Sequence, residues 1–160
     1  MTTIRTATDD DLPRILALLT QSSLPTADLA DAVPTFLVDE RDGALAGVIG
    51  LQRFGQAGLL RSLAVAPAYQ GQGIARRLVA TLETEARLQD IDALYLLTQT
   101  AERFFTLQAF EALPREQAPA GLQASAEFRS LCPASAVCMR KRPTRILPSS
   151  FRARFAAIFS

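Results

Sequence analysis

The sequence has 160 residues, of which 49% are hydrophobic, and its formal net charge is only +1. This length and composition are typical of one folded globular domain, and they argue against a disordered chain and against a strongly basic nucleic-acid-binding protein. Histidine is absent and the two cysteines are too few for a metal cage, so we predict no metal site.

The N-terminal segment predicts a strand and a cytoplasmic protein. Residues 2–7 have the pattern of a strand, whereas residues 1–5 lack the apolar core of a signal peptide. No apolar run in the chain is long enough to cross a bilayer, so we expect no integral membrane segment.

Two helices are predicted next. The first begins near Asp9 or Asp10, because acidic residues cap the first turn of a helix and Pro13 is tolerated there. A second, short helix is predicted over residues 26–32, with Pro34 as its end.

Three neighbouring strands follow, over residues 35–40, residues 44–53 and an apolar central strand that begins at Leu59. The turns between them, at residues 41–43 and residues 54–56, are short. Connections of this length cannot cross over the sheet, so the three strands are predicted to be antiparallel.

The central strand leads into a turn that is suited to phosphate binding. The strand stops at Pro67, Gly71 and Gly73 follow, and a helix is predicted over residues 73–88. The first N–H groups of a helix lack intrahelical partners and carry partial positive charge, and glycine lets a phosphate approach them closely. We therefore interpret residues 71–76 as a pyrophosphate cradle.

Two common phosphate-binding motifs do not match this turn. A P-loop requires Lys-Ser/Thr after its last glycine, where this chain has Ile74 and Ala75. A dinucleotide-binding fingerprint requires a third glycine, and Arg76 occupies that position.

The rest of the domain is predicted to complete the sheet. Residues 93–98 are almost continuously apolar, as in a strand buried on both faces, and a right-handed crossover places them parallel to the central strand. The remaining predicted elements are a helix over residues 101–109, an edge strand from Glu111, a helical stretch over residues 119–130 and a last strand over residues 136–141.

A basic, aromatic tail over residues 143–160 follows the predicted domain of residues 1–142. A linker over residues 143–148 precedes a stretch that has the pattern of a short amphipathic helix. Three interpretations remain open: a frayed end, a helix packed on its own domain, and a contact surface for a homodimer or a membrane.

The glycine turn resembles a known motif. The segment over residues 70–75 matches the acetyl-CoA motif Q/R-x-x-G-x-G/A of the GNAT family of N-acetyltransferases, and residues 63–67 resemble the strand that precedes it. Residues 101–110 resemble the segment A-x-x-F-Y-x-K-x-G-F of that family, with Phe105 in place of its tyrosine and Ala109 in place of its glycine.

This resemblance implies a fold and a cosubstrate. The implied fold is α/β (α+β): a mixed, mostly antiparallel sheet with helices on both faces and a splayed pair of parallel strands. The implied cosubstrate is acetyl-CoA, whose pantetheine arm enters between the splayed strands. The cofactor-binding residues that it implies are Leu63, Ala64, Val65, Gln70, Gly71, Gln72, Gly73, Ile74, Ala75, Arg76, Phe104 and Phe105.

Acetyl transfer requires a base for the amine proton and an acid or a positive field for the leaving thiolate. The family assigns the acid to the tyrosine that is Phe105 here, so Thr98, Thr106 and Cys132 are candidates, and unassisted departure is a further alternative. The candidate bases are Asp39, Glu40, Glu102 and Glu127. For each of these residues a purely structural or surface role is the competing interpretation.

Several residues are candidates for acceptor binding. If Arg61 points the same way as Leu63 and Val65, as strict strand alternation requires, it lies on the cofactor and acceptor face and could grip a substrate carboxylate; a position on the outer rim is the alternative. Thr26 and Asp28 are predicted to receive the acceptor's amine, and Thr98 is also predicted to lie at the acceptor site.

A second resemblance suggests the acceptor class. Residues 24–29, 58–63 and 130–136 resemble a bacterial arsenic-resistance subgroup of these N-acetyltransferases, and the chain is also similar to small glutamate and amino-acid N-acetyltransferases. Both imply transfer to the free amine of a small amino-acid-like acceptor. The rival hypotheses are an acyl-CoA sensor without catalysis and a peptide or protein acetyltransferase; direct arsenite binding by the cysteines is a minor alternative.

Overall fold

The computed structural model describes residues 3–30 and 33–143, which form one mixed seven-stranded sheet with helices on both faces. The strands are β1 (Thr3–Thr6), β2 (Thr35–Arg41), β3 (Ala44–Phe54), β4 (Ala57–Val65), β5 (Ala93–Thr98), β6 (Glu111–Ala112) and β7 (Val137–Lys141). The helices are α1 (Leu12–Gln21), α2 (Ile74–Leu88), α3 (Glu102–Leu107) and α4 (Ala120–Gln123).

The strand order is β1-β2-β3-β4-β5-β7-β6, and β4 and β5 are the parallel pair in an otherwise antiparallel sheet. The connection between β4 and β5 contains α2, as the crossover between parallel strands requires. The predicted fold class is therefore confirmed, including the three antiparallel neighbours β2, β3 and β4.

Each face of the sheet has its own hydrophobic core. Helix α2 buries Leu78, Val79 and Leu82 against one face, where α3 also packs. Helix α1 covers the other face and buries Ile15 and Leu19 against β2 and β3. Because both helices place apolar residues three or four positions apart, one stripe of each helix faces the sheet.

The parallel pairing of β4 and β5 is short. It joins Ala57–Leu59 to Ala93–Tyr95 and then stops, although β4 continues to Val65 and β5 to Thr98. The two strands therefore separate beyond Leu59, as predicted, and a gap opens between them in the middle of the sheet.

A bulge in β4 changes which side chains share a face. The register between β3 and β4 shifts between Val48 and Gly50, and Ser62 has the left-handed φ of 60°. Leu63 and Val65 therefore pack on the α2 side of the sheet. An extra residue in one strand interrupts the alternation of side chains, so the predicted common face of Arg61, Leu63 and Val65 is wrong.

Two of the predicted helices differ from the structure. Residues 27–30 form a turn rather than a helix, with the Leu29 N–H donating to the Thr26 carbonyl at 3.1 Å; residues 31 and 32 lie outside the described part of the chain. So short a segment gains few hydrogen bonds for the cost of starting a helix.

The predicted helix over residues 119–130 is interrupted. It forms α4 and then a π-helical turn at Glu127–Leu131, because the Ser125 hydroxyl donates to the Leu122 carbonyl at 2.6 Å and competes with helix continuation. The predicted tail falls almost wholly on residues 144–160, outside the described residues. Within the described ranges, every helix is too short or too polar to cross a membrane.

A buried carboxylate, that of Asp11, connects the first strand to the first helix. Asp11 accepts hydrogen bonds from Arg5 at 2.7 Å, from Arg14 at 2.8 Å and from the Thr8 N–H at 2.8 Å. The Arg5 guanidinium, the Thr8 N–H and the Arg14 guanidinium hold the pKa of Asp11 far below its usual range. The carboxylate thus connects β1 to the start of α1.

We predict that Asp11→Ala lowers the free energy of unfolding by about 1–2 kcal/mol, because it removes a helix cap and leaves two guanidinium groups without their buried partner. Urea denaturation followed by circular dichroism measures this change. Asp10→Ala, at an exposed neighbouring position, serves as the control and should change stability by less than about 0.5 kcal/mol. Equal effects of the two substitutions would contradict the role of Asp11.

Candidate active site

The turn between β4 and α2 forms the wall of a groove. The groove has a volume of about 670 Å³. Its lining residues are Val65, Tyr69, Gln70, Gly71, Gln72, Gly73, Ile74, Ala75, Arg76, Phe104 and Gln108. Most of the residues predicted from the sequence to bind a cofactor thus meet at one cavity.

The two glycines of the turn have backbone conformations that side chains rarely adopt. Gly71 has a φ of 80°, and Gly73 has a φ of 76° and is the N-cap residue of α2. No side chain caps the helix at Gly73, so the first N–H groups of α2 lack a side-chain partner there. Unpaired N–H groups at a helix N-terminus make a site for an anion.

The turn is held in place from three directions. Arg77 donates to the Gln72 carbonyl at 3.1 Å, and Arg41 on β2 donates to the Gln72 side-chain oxygen at 2.6 Å. Gln70 donates to the Val65 carbonyl at 3.3 Å. These three hydrogen bonds connect the turn to β2, to the end of β4 and to α2.

A backbone amide of β4 faces the gap between the parallel strands. The Ala66 N–H donates to the Ala46 carbonyl on β3 at 2.8 Å. Because backbone groups alternate along a strand, the N–H of Val65 points the other way, toward the gap. The pairing of β4 with β5 has already ended at Leu59, so β5 does not cover this part of β4.

The two phenylalanines of α3 have different environments. Phe104 lines the groove, but Phe105 is only 5% exposed and packs edge-to-face between Phe104 and Phe110, with ring centroids 5.0 Å and 5.5 Å apart. The prediction that Phe105 lines the cofactor site is therefore corrected: the residue is part of the core.

Two further predicted cofactor residues lie beside the groove rather than on its wall. Leu63 packs against the α2 core, and Ala64 is buried on the face that α1 covers. Their side chains lie on opposite faces because successive residues of a strand alternate.

A second cavity, of about 290 Å³, lies on the α1 side of the sheet. Three segments enclose it: the loop after α1, the end of β5 and the loop before β7. Its lining residues are Ser22, Ser23, Leu24, Pro25, Leu97, Thr98, Gln99, Thr100, Leu131, Cys132, Pro133 and Ala136. Leu97 and Thr98, which line this cavity, lie in β5 beyond its last residue that pairs with β4.

Next to this cavity, the structure brings Arg61 together with two carboxylates. Asp28 accepts two hydrogen bonds from the terminal nitrogens of Arg61, at 2.5 Å and 2.9 Å, and Glu127 Oε1 lies 3.4 Å from Arg61 Nε. The Arg61 side chain is completely buried. Asp28 precedes β2 and Glu127 begins the π-helical turn, so three distant parts of the chain meet here. We call these residues the Arg61 cluster.

Burial sets the protonation of the groups around this cluster. Burial raises the pKa of Glu127 to about 6, against the opposing effect of Arg61. Burial and the nearby Glu127 raise the pKa of the Cys132 thiol to about 11. The hydrogen bonds from Arg61 lower the pKa of Asp28. Asp28 is therefore ionised near neutral pH, Cys132 is a neutral thiol, and Glu127 titrates close to the physiological range.

The other candidate acids and bases lie apart from the cluster. Asp39 is fully buried beside Arg41, with its Oδ1 3.4 Å from Arg41 Nε, and Glu40 pairs with Arg5 and Arg14 near the N-terminus. The Thr106 hydroxyl donates to the Glu102 carbonyl within α3 at 2.9 Å.

Thr98 and Thr26 lie closer to the cluster. Thr98 lines the second cavity, and its hydroxyl oxygen accepts a hydrogen bond from the Ala101 N–H at 3.0 Å. Thr26 is half-buried in the segment that carries Asp28.

Four residues of the groove and of the Arg61 cluster were not predicted from the sequence. Tyr69 and Gln108 line the groove, and Gln52 and Ser62 lie within 3.3 Å of the Arg61 guanidinium. Tyr69 could have been found from its position directly before the motif. The others come near the site only through long-range packing or through the bulge, for which the sequence carries no local signal.

The chain is similar to known proteins. A family model described as "Acetyltransferase (GNAT) family" matches residues 5–110. An amino-acid acetyltransferase of Neisseria meningitidis serogroup A is 30% identical over 125 residues, which cover 72% of this chain and 29% of that protein.

Solved structures are also similar. N-acetylglutamate synthase from Neisseria gonorrhoeae, complexed with coenzyme A and N-acetyl-glutamate, has a TM-score of 0.78 at 24% identity over 91% of this chain and 36% of that chain. The same enzyme complexed with coenzyme A and L-arginine has a TM-score of 0.77 at 26% identity over 90% of this chain and 34% of that chain. The curated relatives are longer proteins, of which this chain spans between 21% and 29%.

We predict that Cys132 reacts slowly with iodoacetamide, because a thiol with a pKa of about 11 has about 300-fold less thiolate at pH 7.5 than an ordinary cysteine with a pKa of about 8.5. Mass spectrometry of the alkylated peptide measures the rate. The rate should rise about tenfold per pH unit up to pH 10, and Glu127→Gln should increase it at each pH. A rate that levels off near pH 8.5 would show that the thiol is unperturbed.

Proposed function

Since the chain belongs to the GNAT acetyltransferase family, we propose that it transfers the acetyl group of acetyl-CoA to the free amine of a small amino-acid-like acceptor. The observation that carries this proposal is the glycine turn at the start of α2, placed beside the gap between β4 and β5. The curated relatives are amino-acid acetyltransferases, and the gonococcal synthase is complexed with coenzyme A, which supports the choice of donor and of acceptor class.

In this proposal the groove holds the coenzyme. The pyrophosphate binds the N–H groups of residues 71–76, where the helix N-terminus favours negative charge. The pantetheine arm runs along Leu63 and Val65 in the gap, and its amides take the place of the missing β5 partners. Phe104 contacts the arm from α3.

The acceptor enters from the second cavity, on the other side of the gap. Its neutral amine nitrogen attacks the thioester carbonyl carbon, the C–N bond forms, and the C–S bond breaks with its electron pair on sulfur. The N–H of Val65 donates a hydrogen bond to the carbonyl oxygen as negative charge develops there.

Glu127 is our candidate for the proton acceptor. Glu127 begins the turn whose end, at Leu131 and Cys132, lines the second cavity, and it is close enough to Cys132 to raise the pKa of that thiol. Its own pKa of about 6 leaves it mostly ionised at neutral pH. A base with a pKa near the working pH is well matched to removing a proton from an amine.

Cys132 does not protonate the departing thiolate in this proposal. A thiol with a pKa of about 11 holds its proton more tightly than an ordinary thiol, whose pKa is about 8.5. Phe105 has no proton to donate. We therefore propose that the thiolate of coenzyme A leaves unassisted and takes its proton from solvent.

Two alternatives have different consequences. An acyl-CoA sensor without catalysis would bind coenzyme A but release no thiol with any acceptor. A peptide or protein acetyltransferase would prefer peptide amines. An arsenic-containing amino acid is one member of the proposed acceptor class, and the contacts among the described residues do not favour it over other small amines.

We predict that Gly73→Asp abolishes coenzyme A binding, because it adds a carboxylate where the phosphates would lie and places a side chain at a left-handed φ of 76°. Titration calorimetry with coenzyme A measures the affinity. Gly55→Asp is the matched control: Gly55 also has a positive φ, 64°, and open space around it, but it lies in the turn between β3 and β4. Unchanged affinity in Gly73→Asp would refute the cradle.

We predict that purified protein releases thiol from acetyl-CoA in the presence of a small primary amine and not in its absence. Ellman's reagent measures the release with a panel of free amino acids, an arsenical amino acid, amino-acid amides and short peptides. Tight coenzyme A binding without thiol release from any mixture would favour the sensor.

We predict that kcat/KM, expressed per concentration of neutral amine, falls as the pH decreases below about 6, because protonated Glu127 cannot accept the amine's proton. Glu127→Gln should lower kcat about a hundredfold or more and remove this acidic limb of the profile. Glu116→Gln, at an exposed position in the same part of the chain, should retain both the rate and the limb. Retention of the limb in Glu127→Gln would assign the titration to another group.

A further inference from the structure

The hydrogen-bond donors of Arg61 are almost fully used within the protein. A guanidinium has five N–H groups. Two of them bind the Asp28 carboxylate at 2.5 Å and 2.9 Å, a third lies 3.3 Å from the Gln52 side-chain oxygen, and Nε lies 3.3 Å from the Ser62 hydroxyl. Asp28 thus binds the pair of terminal nitrogens with which Arg61 would otherwise bind a substrate carboxylate.

The cluster also contains more carboxylates than guanidinium groups. Glu127 Oε1 lies 3.4 Å from Arg61 Nε, so one buried guanidinium faces two carboxylates. At neutral pH Asp28 is ionised and Glu127 is mostly ionised. A third carboxylate placed beside them would meet like charges at close range in a poorly solvated site.

The neighbouring cation, Arg115, is also engaged. Its terminal nitrogens donate to the carbonyls of Phe128, Pro133 and Ala136, which fix the loop before β7. The residues that line the second cavity are all uncharged. Among the described residues, a substrate carboxylate in this cavity would therefore contact neutral groups only. Within that part of the chain it would find no guanidinium free to form a two-pronged pair with it.

We propose that the acceptor presents its amine without a free carboxylate next to it: it is a small amino-acid derivative whose carboxyl group is in an amide. This inference rests on the proposed acetyl transfer and narrows its substrate class. The Arg61 cluster then determines specificity: Asp28 pairs with the Arg61 guanidinium, and its negative charge disfavours the carboxylate of a free amino acid.

This specificity differs from the chemistry of the similar synthase. The gonococcal enzyme is complexed with N-acetyl-glutamate, a molecule with two carboxylates. In the present chain Asp28 supplies from within the protein the negative charge that such a ligand would bring. Glutamate should therefore be a poor acceptor here.

Matched pairs of acceptors test the proposal on the wild-type protein. Alanine is compared with alaninamide, and glutamate with its diamide, with trialanine as a peptide arm; thiol release gives kcat/KM. The values are expressed per concentration of neutral amine, because an amide lowers the basicity of the adjacent amine. We expect each amide to exceed its acid at least tenfold. Equal values, or faster reaction of the acids, would overturn the proposal.

Asp28→Asn tests the mechanism of the exclusion, because it frees the Arg61 guanidinium from a carboxylate partner with almost no change in shape. The ratio of amide to acid should fall about tenfold or more in this variant. Asp42→Asn, in the exposed turn between β2 and β3, is the control and should keep the wild-type ratio. An unchanged ratio in a folded Asp28→Asn protein would show that Asp28 does not exclude the acids.

A second measurement covers the case in which Asp28→Asn does not fold. N-acetylalanine and N-acetylalaninamide are compared as inhibitors of the wild-type protein, and the amide should bind at least tenfold more tightly; the reverse order would overturn the proposal. If acetyl-CoA does not bind at all, the proposed function itself fails. If it binds and no amine of either kind reacts, this inference fails and the sensor is favoured.

Discussion

The early end of the pairing between β4 and β5 is the constraint on which the site depends. Three residue pairs hold the strands together, and beyond Leu59 each strand continues without the other. In the middle of a sheet this leaves backbone groups that must find partners elsewhere. Val65, in the part of β4 that has no pair in β5, lines the groove, and Leu97 and Thr98, in the part of β5 that has no pair in β4, line the second cavity.

The two cavities are built by different physical means. The groove depends on backbone conformation, with two left-handed glycines and the start of α2, and it suits an anion of fixed shape. The second cavity adjoins a buried arrangement of charge, in which Arg61 joins two segments that are far apart in the sequence. Removing one member of such a buried group leaves the others uncompensated, so the cluster fixes geometry as well as charge.

The features that could be predicted from the sequence are those that a contiguous stretch of residues encodes. The strand, the glycine turn and α2 are contiguous, and the apolar run of β5 together with the helix before it sufficed to predict parallel pairing. The bulge at Ser62 could not be predicted, because it arises from a register shift against β3, and it reversed the expected face of Arg61. Asp28 and Glu127 were candidates only individually, since their meeting depends on the packing of loops from both ends of the domain.

Ser62 has a further consequence for engineering the molecule. It is the non-glycine residue with a positive φ that lies inside a strand of the described chain, and such a conformation costs about 1–2 kcal/mol. Glycine at this position would relieve that strain. The same exchange would remove the hydroxyl that lies 3.3 Å from the buried Arg61 Nε and would loosen the backbone next to the gap, so it would exchange local backbone strain for a less firmly held guanidinium.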